Sequence, residues 1–238
     1  MLEEDPQLQS VVDKLLAGKQ SLKILEIGCG SCSHVDFGPR AYIVGIDVSE
    51  KQLERNTILN EKICGDVETY EFPPEEYDVI ICWWILEHLS QPYKALENCQ
   101  KALKPDGIMI LATPNVMSIK ALVTKFTPHW FHVWFYRYIF GEKLAGVDDR
   151  VPFKTFLRMS IAPESIKRFA KEYGLSIERF HLYENPRQKN LRARHWLIDA
   201  AWKVLAVVTK VLSFGKLDAE MTDLIVVLKK PAVTPALV

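Results

Sequence analysis

The sequence predicts an α/β fold with a doubly wound, mostly parallel sheet, and three observations predict it. Short apolar, β-branched runs alternate with helix-like segments, the order that builds a parallel sheet with helices on both faces. The first run enters a turn carrying glycines two apart, the place where such sheets admit a ligand. The length of 238 residues suits one domain, or one with a sizeable insertion, since compact domains run about 100 to 200 residues.

Composition narrows the class further. With 48% hydrophobic and 25% charged residues the chain has ordinary globular usage, which excludes a disordered or fibrous protein. Thirty Lys and Arg balance thirty Asp and Glu, so no net field draws it to a polyanion, and nucleic acid is not an expected partner. Cys29, Cys32, Cys64, Cys82 and Cys99 are odd in number and lack framework spacing, which predicts free thiols in a reducing compartment. Residues 1–10 place Glu3, Glu4 and Asp5 before any apolar run, the reverse of a secretory signal, and the expected location is cytoplasmic.

Taken in order, Leu8, Val11, Val12, Leu15 and Leu16 recur at helical spacing within 6–19, with Gly18 as the stop, so residues 1–20 form a helical cover. Strands are expected at 23–27, 41–46, 62–64, 77–82 and 108–112, with a helix over 92–103 closed by Pro105, Asp106 and Gly107. This gives a core over 21–115. The rhythm then breaks, and the aromatic-rich stretch 116–160 is an insertion. The rest of the core, 161–230, holds a helix at 163–173, strands at 175–183 and 224–228, and a helical insertion at 190–214. The tail 231–238, with Pro231 and Pro235, is expected to be unpaired.

The chemistry lies in Leu25-Glu26-Ile27-Gly28-Cys29-Gly30, a strand that ends on a carboxylate and a glycine turn. Glycines there let backbone approach a ligand without a Cβ clash. Asp47, at the end of the second strand, stands where a carboxylate accepts both hydrogens of a ribose diol. A dinucleotide site would want a third glycine where Ser33 stands, which weighs against nicotinamide-dependent hydride transfer. Glu26 would repel a pyrophosphate and attract an ammonium group, which fits S-adenosylmethionine.

That motif, followed by Gly45-Ile46-Asp47-Val48-Ser49, Cys64-Gly65-Asp66-Val67, Tyr77-Asp78-Val79-Ile80, Leu86-Glu87-His88-Leu89 and Leu103-Lys104-Pro105-Asp106-Gly107, resembles the class I S-adenosylmethionine-dependent methyltransferases of small-molecule, ubiquinone-biosynthesis-like type. The resemblance covers 20–115 and resumes at 163–183 and 222–229, leaving both insertions unmatched. It implies a Rossmann-like seven-stranded sheet, mostly parallel with an antiparallel last strand. It also implies that Glu26 and the Gly28, Cys29 and Gly30 backbone face the methionine part, Asp47 the ribose hydroxyls, and Asp66 with the Val67 amide the adenine, with Val48 also among the cofactor-binding residues. Cys82 and Trp83 would flank the methionine part and the transferable methyl. Cys32, where the family usually has glycine, is a departure that narrows the loop.

A sulfonium already activates its methyl, so the protein has to hold a nucleophile in line and exclude water. A hydroxyl or acidic-carbon acceptor gains from a base, and His88 is the candidate. On residue type alone, a backbone-bonded structural histidine is the stronger reading of that position. The motif Asn-Pro-Pro-Tyr of amino-methylating relatives is absent, Cys82-Trp83-Trp84-Ile85 standing there instead, which favours oxygen, then carbon, as the acceptor atom. The expected acceptor is a small, apolar or aromatic metabolite. The rival from another class is a non-catalytic scaffold of the same fold that retains the cofactor pocket.

Cys29 and Cys32 form a C-x-x-C with no second pair and no matching histidines, so neither zinc nor redox work is expected, and no metal is assigned. From His129 to Phe140, seven of twelve residues are Phe, Trp or Tyr. Trp84, His129, Trp130 and Trp134 are therefore the substrate-contacting candidates, with plain packing of an accessory helix an equal reading. Arg137, Lys143, Arg150, Lys154 and Arg158 only weakly suggest an anionic group on the acceptor. Residues 196–214 are strongly apolar, but Asp199, Lys203 and Lys210 exclude a transmembrane span. A pocket wall or the interface of a homodimer ranks above peripheral membrane contact there.

Overall fold

A computed structural model of the chain describes residues 5–31, 37–139, 141–147 and 152–232. Cys32, Ser33, Phe140, Arg150, residues 1–4 and the tail beyond 232 lie outside the described residues, and so do the expectations placed on them.

Seven strands form one sheet in the order β3-β2-β1-β4-β5-β7-β6. They are β1 (Leu22–Ile27), β2 (Ala41–Asp47), β3 (Glu61–Cys64), β4 (Tyr77–Trp83), β5 (Leu103–Pro114), β6 (Ser176–Tyr183) and β7 (Asp223–Lys229). Pairing is parallel from β3 through β5, and β7 runs antiparallel between β5 and β6. The order reverses at β1, next to β4, which opens a crevice at the carboxyl ends of these strands.

Alternation along the strands sorts the core into two layers. Leu25, Ile27, Ile80, Cys82, Met109 and Leu111 face one side, under α3 (Pro92–Ala102) and α6 (Pro163–Glu172), to which Leu96, Cys99, Ile166 and Phe169 belong. Ile24, Val79, Ile81, Trp83, Ile108 and Ile110 face the other, where α1 (Leu8–Leu15) sits, and Leu8, Val12 and Leu16 fill the same layer. Every residue of β4 is buried, as a central strand covered on both faces must be. Asp78, at its amino end, accepts from the Lys23 amide at 3.0 Å, Lys104 Nζ at 2.8 Å and Lys19 Nζ at 3.3 Å. One carboxylate thus ties β1, the chain after α1 and the start of β5 to β4. Burial raises the Asp78 pKa, but these donors outweigh it and hold the carboxyl below its ordinary range.

The largest departure from the sequence expectation is at β5, which starts at Leu103 rather than 108. Leu103 is already extended and pairs with Tyr77, and the register shifts before Val79. Asp106 takes a left-handed φ of 61°, and a Cβ on Gly107 would meet the Lys104 carbonyl at 2.8 Å. Lys104-Pro105-Asp106-Gly107 is therefore an irregular entry into the strand as well as a helix stop. α1 is also shorter than 6–19, with Gly18 at φ 84° beyond its end. The insertions carry α4 (Ile119–Phe126) and α5 (His129–Tyr138), then α7 (Pro186–Arg194) and α8 (Trp196–Leu212), while α2 (Glu50–Arg55) follows β2.

Candidate active site

The turn after β1 is built around Asp47. One Asp47 oxygen accepts the Gly30 amide at 2.9 Å and the other the Ser49 amide at 2.9 Å, so the carboxylate at the end of β2 anchors the glycine turn and the start of α2 together. Each oxygen keeps a second acceptor site for a ligand. Gly28 has φ 61°, and a Cβ there would lie 2.5 Å from Ile85 side-chain atoms, so only glycine fits this turn beneath the segment after β4. Ser49 caps α2 by accepting the Gln52 amide.

These ends enclose a cavity of about 310 Å³ lined by Gly28, Asp47, Val48, Asp66 and Val67, with Ile46, Gly65, Glu68, Ile85, His88, Leu89, Ser90 and Phe156 completing the wall. Its volume is at the small end of ligand sites, which run from about 300 Å³ upward. Asp66 shapes its own loop by accepting the Glu68 amide at 2.9 Å, and Asn98 on α3 holds the Val67 carbonyl at 3.1 Å. Glu68 is buried and accepts from Ser90 Oγ at 2.7 Å and the Gln91 amide at 2.6 Å, binding the loop after β3 to the amino end of α3.

His88 lines the same cavity, at the end of a short 3-10 turn, Leu86–His88. Its Nδ1 lies 2.8 Å from the Lys154 carbonyl, which can only accept, so Nδ1 donates and Nε2 is the nitrogen without a proton in the neutral ring. Burial lowers the His88 pKa against the opposing pull of that carbonyl, which favours the neutral imidazole. Phe153 packs edge-on against the ring at 5.7 Å, and the Phe156 amide donates to the Glu87 carbonyl at 2.8 Å. The returning end of the first insertion therefore roofs the cavity. Glu87 is buried, and desolvation pushes its pKa up to about 8, with Asp223 adding repulsion, which favours the neutral carboxyl at pH 7.

The structure thus gathers Gly28, Asp47, Val48, Asp66, Val67 and His88 at one cavity, and separates the other sequence candidates from its wall. Gly30 joins through its amide on Asp47. Glu26 is buried at the end of β1 and Cys29 lies under Gly45, where burial, then the charges of Asp47 and Glu26, pushes the thiol up to about 12. Cys82 and Trp83 do not flank the cavity. The Cys82 side chain is in the layer beneath α3, a free thiol hydrogen-bonded with the free thiol of Cys99, and Trp83 is in the opposite layer. Their strand position is near the site, but alternation sends both side chains into the core. Trp84, at φ 55°, packs against the α1-side layer. His129, Trp130 and Trp134 are exposed on α5, away from the cavity wall.

Among wall residues not singled out from sequence, Gly65 and Leu89 lie inside quoted motifs. Glu68 and Phe156 carried no local signal, because their roles depend on contacts with residues 22 and 69 positions away, Ser90 and Glu87.

Residues 25–111 match the family described as "Methyltransferase domain". That match spans little more than a third of the chain, and over it, with the sheet order and the crevice, the chain is similar to the class I S-adenosylmethionine-dependent methyltransferases. Among individual relatives, the chain is similar to the ubiquinone biosynthesis O-methyltransferase of Coxiella burnetii, with 24% identity over 163 residues, 65% of this chain and 63% of the relative. The enzyme of the same name from Neisseria meningitidis serogroup A is 30% identical over 139 residues, 50% of this chain and 57% of the relative. The chain therefore spans less than two thirds of the length of these relatives. In fold it is similar to an S-adenosylmethionine-dependent methyltransferase from Mesorhizobium loti, with a TM-score of 0.55 at 16% identity, covering 97% of this chain and 100% of that one.

Proposed function

We propose that the chain transfers a methyl group from S-adenosylmethionine to a hydroxyl of a small, apolar or aromatic metabolite, with carbon the next acceptor atom. The observation that carries this reading is a neutral histidine of fixed tautomer in the wall of the cavity that also presents Asp47 and Asp66. The O-methyltransferase names of the sequence relatives support the same reaction.

The residues fit the cofactor on two counts: the turn at Gly28 has no room for a Cβ, and two carboxylates stand at successive strand ends. Asp47 would hold the ribose hydroxyls, Asp66 and the Val67 amide the adenine, and the Gly28 to Gly30 backbone the amino-acid end. Bound there, S-adenosylmethionine supplies an electrophilic methyl on a sulfonium. The chain's own part is positional. Ile85, Leu89 and Phe156 exclude water from the cavity, and His88 Nε2 takes the proton of the acceptor hydroxyl as it attacks.

Calorimetry with S-adenosylmethionine and its demethylated product, followed by mass spectrometry of phenols with and without apolar tails, tests this reading. Binding together with a methylated phenol is the expected result. Binding without any methylated product would favour the scaffold reading, and no binding would reject both.

A further inference from the structure

Helix α8 is built inside out. Asp199, Trp202, Ala206, Thr209 and Ser213 recur at three and four residues and form its half-buried side, with Trp202 Nε1 donating to the Ala219 carbonyl at 3.2 Å. On the opposite side Leu197, Val204, Val207 and Val211 each expose 63 to 67% of their surface, Leu212 is beside them, and Phe214 follows at 92%. Helical geometry puts Leu197, Val204, Val207 and Val211 in one stripe along about 20 Å of axis. A soluble domain normally turns such a stripe inward, so this one marks a contact surface.

Charge identifies the partner. Residues 186–216 carry seven basic side chains, Arg187, Lys189, Arg192, Arg194, Lys203, Lys210 and Lys216, against the single acid Asp199, while the rest of the chain has 23 Lys and Arg against 29 Asp and Glu; of the seven, Arg192 is held by Glu184, Asp199 and Glu220. Asp199 is engaged by Arg192 at 2.9 Å and Lys203 at 2.7 Å. Lys203 and Lys210, seven residues apart, share one flank of the stripe, and Trp196 stands exposed at the amino end of the helix. A second copy docked through α8 would bring two strongly basic segments together. An anionic bilayer surface meets both features: the stripe enters the acyl boundary and the lysines reach the head groups.

We propose that α8 docks the protein on an anionic lipid surface as a peripheral helix. No helix among the described residues is long and apolar enough to cross a membrane. The anchor is joined to the core beyond the carboxyl end of β5: Asp218, just after α8, bridges Ser118 at the start of α4, and the Ile119 amide donates to the Asp218 carbonyl at 3.0 Å.

The test is flotation of the full chain with vesicles of phosphatidylcholine alone or with one third phosphatidylglycerol. Binding to the anionic vesicles, weakened by salt, is expected. The pair Val207→Asp and Val211→Asp should reduce it on the order of tenfold or more, and Lys203→Gln with Lys210→Gln on the order of tenfold on anionic vesicles, at unchanged circular dichroism. Equal binding by either pair of variants, or no vesicle binding, would overturn the proposal. So would a stable dimer by sedimentation velocity that Val207→Asp with Val211→Asp dissociates, which would assign the face to a second copy. None of these readouts uses methyl transfer, so failure here leaves the proposed reaction standing.

Discussion

At the level of single residues, Asp47 does two jobs that one substitution separates. Asp47→Ala removes acceptors from the Gly30 and Ser49 amides and, on the proposed assignment, from the ribose. Binding of S-adenosylhomocysteine should weaken by about 1 to 3 kcal/mol, the loss expected when charged hydrogen-bond partners go. Calorimetry measures it, and unchanged affinity would contradict the ribose role. His88 gives a kinetic prediction with a definite sign. Its pKa is held below the ordinary histidine value by burial, so the neutral base persists into mildly acidic solution and turnover falls only as pH drops through that lowered value. His88→Gln should cut kcat by about 10²- to 10⁴-fold with little change in cofactor affinity; an unchanged kcat would leave His88 with only its bond to Lys154.

Glu87 tests the same buried corner by stability. Its folded pKa, about 8, lies above the unfolded value, so the native state binds the extra proton and stability is lost as pH rises from the unfolded pKa through about 8. Glu87→Gln keeps the shape and removes the titration. The variant's melting temperature should gain on the parent's between pH 5 and 8, at about the rate set by one proton, and the difference should level off above that range. Parallel melting curves across that range would show that the carboxyl does not titrate as its burial requires.

Among elements, Asp78 shows how the sheet's amino edge is held. Asp78→Ala leaves Lys19, Lys104 and the Lys23 amide without their shared acceptor, and chemical denaturation should register a loss of about 1 to 3 kcal/mol. A smaller effect would mean that water replaces the carboxylate there. The elements themselves were largely legible in the sequence, because short β-branched runs and helical spacing are local properties. β5 was cut short since Pro105, Asp106 and Gly107 signal a stop, and only pairing of Leu103 with Tyr77 reveals that the strand has begun. For the aromatic stripe of α5 the sequence leaves two equal readings, contact with an acceptor and packing of an accessory helix. Spacing shows that Trp130, Trp134 and Tyr138 share a face, but tertiary structure alone decides whether that face points in or out.

For the molecule as a whole, the site is a consequence of topology. The strand order reverses at β1, and the residues that were legible, Gly28, Asp47 and Asp66, sit at the carboxyl ends of β1, β2 and β3, where motif and location coincide. The roof was not legible: Lys154 and Phe156 reach His88 and Glu87 across an insertion whose sequence carries no matching pattern. Cys82 and Trp83 were placed by motif at the right strand end, and the two-fold alternation of β4 then turned their side chains into the two cores.

On the proposed function an adenosyl group is held between Gly28, Asp47 and Asp66, and titration calorimetry of the parent chain and Gly28→Ala with S-adenosylhomocysteine tests this most directly. A single saturable site in the parent, lost in the variant whose new Cβ collides with Ile85, is the predicted result. Equal binding by both proteins, or none by a folded parent, would contradict it.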